Sequence, residues 1–280
     1  MAVRVVTDST AGLSAAVAGA NGITVVPLRV TLGDRSGLEG VDVGPGHVAA
    51  ALAAHHPVGT SQPSPEAFEQ AYAGDGDVLS VHLSAELSGT CAGARIAAAR
   101  VAGGRVEVLD SRQASMGLGF VVLAAARAAE RGATLAEVTA VAREAGLQTD
   151  GVWCLDTAEH ARRGGRVGAA VGTAQALVGA ALAVKQILYV VDGTLVPLEK
   201  VRTSSRALQR LEDLAVERMG DGDAEITVHH LAAPERADTL AAGLDRRLGG
   251  RLRELSVSEV GAVLGAHGGP GLLGVVVHRL

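Results

Sequence analysis

The strongest constraint on the fold is a strand-length apolar run that breaks into a hydroxyl-rich turn and then into an alanine-rich segment. Residues 78–93 read VLSVHLSAELSGTCAG. Val78, Leu79, Val81 and Leu83 have the pattern of a buried strand. Ser84, Ser88 and Thr90 follow, with Gly89 between the last two, and residues 91–101 read as a helix. The first turn of such a helix leaves backbone N–H groups without intrahelical partners, and its dipole favours negative charge. Two roles fit Ser88: an N-cap for the helix, or one of the groups that hold an anion at its start.

The same order recurs along the first half of the chain. Residues 3–6 form a strand ending in Thr7, Asp8, Ser9 and Thr10, which start a helix over 13–18. Residues 23–32, β-branched around Pro27, read as a strand pair or one bent strand. Residues 33–46, rich in Gly and Asp, read as loop, and 48–54 as a short helix. In the polar stretch 59–65, Ser64 caps a helix with Pro65 at its first position, running to about Tyr72. A strand at 105–109, closed by Asp110 and Ser111, and helices over 115–131 and 134–147 complete this half. The alternation predicts a mostly parallel sheet covered by helices. Ligands of such sheets collect at the carboxyl ends of the strands. The turns at 7–10, 84–90 and 110–115 fall at that edge, and Thr60 can reach it.

A second unit begins after Gly151. It reads as a strand at 152–155, a helix at 157–163 stopped by Gly164-Gly165, and then Arg166. Asp192-Gly193 between apolar runs is a hairpin signal. A charged helix at 204–218 precedes a strand at 224–231, a helix at 233–248 and a strand at 251–255. Residues 259–266 lead to His267-Gly268-Gly269-Pro270-Gly271 and a closing strand at 273–277. The expected organisation is two α/β domains, 1–150 with a mostly parallel sheet and 151–280 with a mixed one, meeting over a broad interface.

Composition and missing motifs remove several function classes. A net charge of −5 and an aromatic content of 2% offer neither the basic surface nor the stacking platforms that nucleic acid requires. Cys91 and Cys154 form no CxxC pair, which suits reduced thiols in a cytoplasmic protein. The opening MAVRVVTDST reads as strand and turn, not as a leader. Residues 167–184 carry no charge before Lys185, but they are built of Ala and Gly with Thr173 and Gln175. A protein-buried helix is therefore expected there, not a membrane span, with at most transient contact at a membrane surface. No GxxxxGK[ST] or HExxH occurs, and the strand-to-helix turns lack GxGxxG, so neither a nucleotide, a catalytic metal nor another cofactor is expected. His55-His56 and His229-His230 are adjacent pairs whose members point to opposite faces of a strand, and neither reads as a site.

Seven motifs, in order, resemble the DegV family: TDST at 7–10, TSQPSP at 60–65, LSGT at 87–90, DS at 110–111, GGR at 164–166, DGTL at 192–195 and HGGPGLLG at 267–274. They span almost the whole chain. Gly268 stands where the family often has a branched or hydroxyl residue, Gly12 where an acid is common, Cys91 where Tyr is frequent and Gln186 where Pro is usual. The resemblance implies two α/β domains with a ligand tunnel between them holding one long-chain fatty acid. It implies that hydroxyls of the TSQPS and LSGT motifs hold the carboxyl, with the Arg of GGR and the last motif's His close by. Here these are Thr60, Ser88, Arg166 and His267. It further implies a lipid-binding carrier without catalysis of its own, which presents the acid to a separate fatty-acid kinase for conversion to an acyl phosphate. Arg166 would then serve the acyl phosphate or its transfer. Residues 167–184 and 121–126, with their small side chains, are expected to line the tunnel.

Two other expectations rest on the residues. One is an acyl-ester serine hydrolase with Ser88 as nucleophile, His267 as base and Asp110 or Asp8 as orienter, although LSGT is not the GxSxG elbow. The other is an interaction module that docks a protein through the 204–218 helix or the 33–46 loop.

Overall fold

The computed structural model describes residues 2–101, 105–157, 159–163 and 184–280. The chain opens with β1 (Arg4–Asp8), a 3-10 turn (Ser9–Ala11), α1 (Ala15–Ala20) and β2 (Ile23–Val26). It continues through β3 (Arg29–Leu32), β4 (Arg35–Leu38), α2 (Pro45–Ala53), β5 (Val58–Ser61) and α3 (Pro65–Tyr72). Then come β6 (Val78–His82), α4 (Thr90–Arg100), β7 (Val106–Asp110), α5 (Met116–Glu130) and α6 (Leu135–Leu147). The second half holds β8 (Thr149–Leu155), α7 (Glu159–Arg163), β9 (Lys185–Val191), β10 (Thr194–Val201) and α8 (Ser204–Met219). It closes with β11 (Ala224–His230), α9 (Pro234–Leu248), β12 (Leu252–Glu259), α10 (Ala262–Gly268) and β13 (Leu273–Arg279).

Strands β2, β1, β6 and β7 lie side by side in that order, all parallel. Successive side chains of a strand face opposite ways, and here both faces are apolar. Val5, Leu79 and Val81 pack on α5 and α6, while Val6 and Val78 pack on α3 and α4. Val121, Val122, Ala125 and Ala126 belong to the first of these cores.

The second sheet is mixed, in the order β10-β9-β8-β13-β11-β12. Only β11 and β12 run parallel, joined by the α9 crossover. Val152, Cys154, Ile226, Val228, Val275 and Val277 face α8 and α9. The alternate residues, Trp153, Leu155, Leu188 and Val276, face the first domain and meet Phe120 of α5. The fold is thus α/β in two domains, as the strand–helix alternation predicts.

Between them sits a small antiparallel sheet, β4-β3-β5, that the residue pattern does not announce. Residues 35–38, in the stretch expected to be loop, form a strand because Gly33 adopts φ +58° and turns the chain back on itself. Thr60, expected in a turn, is on β5 opposite Val30. This sheet and α2 pack on α10 of the second domain through Val30, Val48, Val263 and Ala266. The first helix also starts later than expected. The Asp8 side chain accepts from Thr10 N and holds residues 9–11 in a 3-10 turn, and Ser14 caps α1.

The β9–β10 hairpin turns on Asp192 (φ 49°) and Gly193 (φ 82°), the two positive φ values of a type I′ turn. Its tip reaches the first domain, where Ser84 Oγ donates to Gly193 O at 2.7 Å. Arg112 pairs with Asp192 at 3.2 Å in solvent, a contact of little energetic weight. A Cβ on Gly193 would collide with the Ser84 hydroxyl. Gly193→Ala should therefore lower stability by about 3 kcal/mol in urea denaturation, since strain and overlap act together. Gly33→Ala, with open space around it, should cost only about 1 kcal/mol.

Candidate functional site

The site is built on a buried carboxylate at the carboxyl edge of the parallel sheet. Asp8 ends β1 with no solvent exposure. Its Oδ1 accepts from Thr10 N at 3.0 Å and from the Thr10 hydroxyl at 2.5 Å. Its Oδ2 accepts from Leu83 N at 3.0 Å and lies 3.0 Å from His82 Nδ1. His82 Nε2 is 2.7 Å from Ser80 Oγ, to which Tyr72 OH donates at 2.8 Å. One proton assignment uses every group: His82 donates to Asp8, Ser80 to His82, and Tyr72 to Ser80. Burial pushes the Tyr72 pKa up to about 12, so the phenol stays a donor. The Asp8–His82–Ser80 chain resembles a hydrolytic triad in connectivity. Ser80 is fully buried, however, and the Phe68 ring packs on His82 with centroids 5.0 Å apart. This network anchors strand ends and does not reach a ligand.

By holding Leu83 N, Asp8 sets the path of the turn that follows. Ser84 N donates to Gln113 O, Ser88 N donates to Ser84 O, and Ala85 N donates to Asp110 Oδ1 at 3.2 Å. Asp110 also accepts from Arg112 N at 2.9 Å, so it serves this turn. Ser88 is not the N-cap of α4. That position is Gly89, without a side-chain cap. Ser88 Oγ instead lies 2.8 Å from Thr90 Oγ1 and accepts from Thr90 N at 3.3 Å. The end of the Gln62 side chain occupies the space a Cβ at 89 would fill. That close approach draws the 60–65 stretch against the start of α4 and sets Thr60 and Ser88 on one rim.

The third element of the rim comes from the other domain. His267, in the last turn of α10, places Nε2 2.8 Å from Thr60 Oγ1. Helix α10 is itself held by the first domain. Glu39 Oε1 accepts from Val263 N at 2.7 Å, in the first turn of α10, and Oε2 accepts from Ser9 Oγ at 2.5 Å. Ser9 Oγ in turn accepts from Leu28 N at 2.9 Å. Burial raises the Glu39 pKa, partly offset by the Ser9 and Val263 hydrogen bonds, and Asp8 raises it further.

Thr60, Ser88 and His267 open onto one cavity between the domains. Ser61 and Gln62 complete its polar rim. The first domain supplies Leu28, Leu83 and Leu87 to the walls, and the sheet of the second supplies Trp153, Leu155, Leu188, Val190 and Leu195. Val263, Leu264 and Leu272 cover it from α10 and the loop beyond. Among the described lining residues there is no Asp, Glu, Lys or Arg. Such a chamber accepts an apolar body with one hydrogen-bonding end.

Three of the four residues singled out in the sequence thus meet at one place. The fourth, Arg166, lies outside the described residues, as do residues 167–183 of the expected lining helix. The other expected lining, residues 121–126, does not border the cavity. The hydrolase arrangement is not formed. Ser88 is bonded to Thr90 and not to His267, whose Nε2 lies against Thr60, and Asp8 orients His82. Glu39, His82 and Trp153 were not singled out from the sequence. Trp153 alone carried a signal, as the one tryptophan of the chain. Among the described residues no group of three or more His, Cys, Asp or Glu could hold a metal ion. No helix among them is long and apolar enough to cross a membrane.

Fold and site together define a class: a two-domain α/β protein with an interdomain chamber whose described walls are uncharged, edged by hydroxyls and an imidazole. A family profile described as "Uncharacterised protein, DegV family" matches residues 2–279. The chain belongs to the DegV family. It is 50% identical over 280 residues to a DegV domain-containing protein of Streptomyces coelicolor, covering 98% of each chain. A solved structure of a DegV family protein from Thermus thermophilus, described as fatty-acid binding, is similar with a TM-score of 0.89 and 30% identity over 100% of each chain. So is DegV from Bacillus subtilis, described as a fatty acid binding protein, with a TM-score of 0.87 and 27% identity over 100% of each chain.

Glu39 yields a pH prediction. Its pKa is raised on folding, so the folded state binds the proton more tightly than the unfolded chain. Its ionisation therefore costs stability, and that cost is relieved as pH falls toward the ordinary carboxyl range. Glu39→Gln keeps an acceptor for Val263 N and removes the buried charge. In urea titrations the variant should equal or exceed the wild type at pH 7, and that relative advantage should shrink as pH falls to 5. Glu39→Ala, which leaves Val263 N and Ser9 without their partner, should be less stable by about 1–3 kcal/mol at both pH values.

Proposed function

We propose that this protein binds one long-chain fatty acid, with the carboxyl group at Thr60, Ser88 and His267 and the acyl chain in the cavity behind them. The observation that carries this reading is the rim: hydroxyls and an imidazole from three separate segments, converging on a chamber whose described walls hold no charge. A carboxylate leaving water must regain its hydrogen bonds, and hydroxyls and an imidazole N–H can donate them. Each buried methylene contributes about 0.8 kcal/mol. Fifteen of them supply on the order of 12 kcal/mol before the costs of association. The description of the Thermus thermophilus and Bacillus subtilis relatives as fatty-acid binding supports the same reading.

The protein acts, on this reading, as a cytoplasmic carrier without catalysis of its own. It hands the bound acid to a separate kinase that phosphorylates the carboxyl to an acyl phosphate. Arg166 serves the added negative charge, for which a guanidinium fork is well suited. The absence of a GxxxxGK[ST] phosphate-binding loop from the sequence agrees with a kinase supplied in trans.

Native mass spectrometry of protein purified from bacteria should show one added mass of a C14–C18 acid. Calorimetry with palmitate should show Ser88→Ala and Thr60→Val each weakened by about 1–3 kcal/mol, as expected for a carboxyl left short of a donor. A protein that carries no acid and takes up none, or variants that bind palmitate as tightly as the wild type, would overturn the assignment.

A further inference from the structure

Trp153 is the largest side chain on the cavity wall and the chain's one tryptophan. Its position along β8 follows from strand register. Leu273 pairs with Cys154, so Leu272 and the loop after His267 lie beside Leu155, at the polar end of the cavity. Trp153 is two residues back from Leu155 on the same face, roughly 7 Å deeper. Its indole does not point back toward the rim. It lies over Gly274, the residue paired with Trp153 across the sheet, where a Cβ would overlap the ring. It also leans over Gly151, two residues deeper still, with Nε1 3.2 Å from where a Cβ would stand.

Along β8 the described lining ends at Trp153, and at the depth of Gly151 it continues only on the β9–β10 hairpin, through Val190 and Leu195. Val276, opposite Gly151, and Phe120 beyond it belong to the same apolar cluster as Trp153 but do not border the cavity. The two glycines leave a trough in the sheet that the indole covers. The ring is also held in place from behind. It stacks on the His229 imidazole, with centroids 5.7 Å apart and planes 13° from parallel. His229 is fully buried, and both of its nitrogens are bonded, Nε2 to Ser115 Oγ and Nδ1 to Ser258 Oγ, each at 3.0 Å. An imidazole fixed at both nitrogens cannot rotate out of the stack without breaking buried hydrogen bonds.

We propose that Trp153 is the specificity-determining residue for acyl-chain length: a rigid aromatic stop, backed by His229, that the far end of the hydrocarbon meets. The inference rests on the fatty-acid reading and deepens it. A tail too long for the space in front of the indole must expel it from its trough or leave methylenes outside. A tail that fits ends in contact with the ring.

The test uses the full chain and the protein's own tryptophan. Calorimetry first measures binding of saturated acids from C14 to C22; failure to bind any of them rejects the fatty-acid reading itself, and this proposal with it. Quenching of Trp153 emission is then compared for 2-bromopalmitate and 16-bromohexadecanoate at saturation. Heavy-atom quenching needs contact, so the terminal bromide should quench several-fold more than the bromide beside the carboxyl. Equal quenching, or stronger quenching by 2-bromopalmitate, overturns the placement while leaving fatty-acid binding intact. Trp153→Leu should raise affinity for C20 and C22 acids at least tenfold and change C16 affinity less than threefold. Trp153→Phe, which keeps an aromatic packed on the glycines, should shift the limit by less. If Trp153→Leu fails to fold, Trp153→Phe and the wild-type quenching decide the matter. A chain-length profile unchanged in a folded variant refutes the stop.

Discussion

The Asp8 carboxylate is held entirely inside the protein, at the point where β1 ends and the turn after β6 begins. A buried charge survives only when hydrogen bonds replace its lost water. Asp8 obtains them from Thr10, Leu83 N and His82, which ties two adjacent strand ends and the turn beyond them into one unit. The turn it fixes carries Ser84 to the hairpin of the second domain and Ser88 to the cavity rim. If Asp8 lost this cage, the turn would lose the amide contact that starts it. The position of Ser88 is thus inherited from a carboxylate that does not border the cavity.

A second theme is how the domains are joined while the described walls of the cavity stay free of Asp, Glu, Lys and Arg. The contacts across the seam include hydroxyl to carbonyl (Ser84–Gly193), hydroxyl to imidazole (Thr60–His267 and Ser115–His229) and carboxylate to helix amide (Glu39–Val263). His229 is held neutral, its pKa pushed down to about 4 by burial. The Arg112–Asp192 ion pair, which spans the seam, stands in solvent at the hairpin tip. A chamber walled this way repels ions and accepts hydrocarbon. Its polar end is made by side chains that can each donate one hydrogen bond, and they come from β5, the turn before α4 and the end of α10.

Much of this architecture follows from local pattern. The apolar run at 78–83, the Ser64–Pro65 helix start and the Asp192-Gly193 turn all depend on near neighbours, and each forms where its pattern places it. What local pattern misses is decided at a distance. The β3–β4–β5 sheet is built of Arg, Ser, Gly and Thr as much as of apolar residues. It exists because Val30 and Val48 are covered by α10, more than 200 residues away in the chain. Ser88 is a residue type that caps helices, yet the cap position falls on Gly89, against which the Gln62 side chain packs. Glu39 sits in a stretch that reads as solvent-facing loop, and only the fold shows it capping a helix of the other domain. Residues 121–126 are small and apolar enough to line a tunnel, but their helix turns that face into the first domain's own core. Thr60, Ser88 and His267 are brought together by these long-range contacts, so their convergence could be expected from the family's motifs and not from spacing.

The central claim is geometric: a carboxyl group at the Thr60–Ser88–His267 rim with its hydrocarbon running inward between the two sheets. A crystal structure of the protein as purified from bacterial cells tests it most directly. The account predicts one continuous, unbranched density in the cavity, forked at the end within hydrogen-bond distance of Thr60 and Ser88 and leading toward the Trp153 side of the sheet. A cavity filled by its own side chains, or a ligand lying with its polar end away from those hydroxyls, would contradict it.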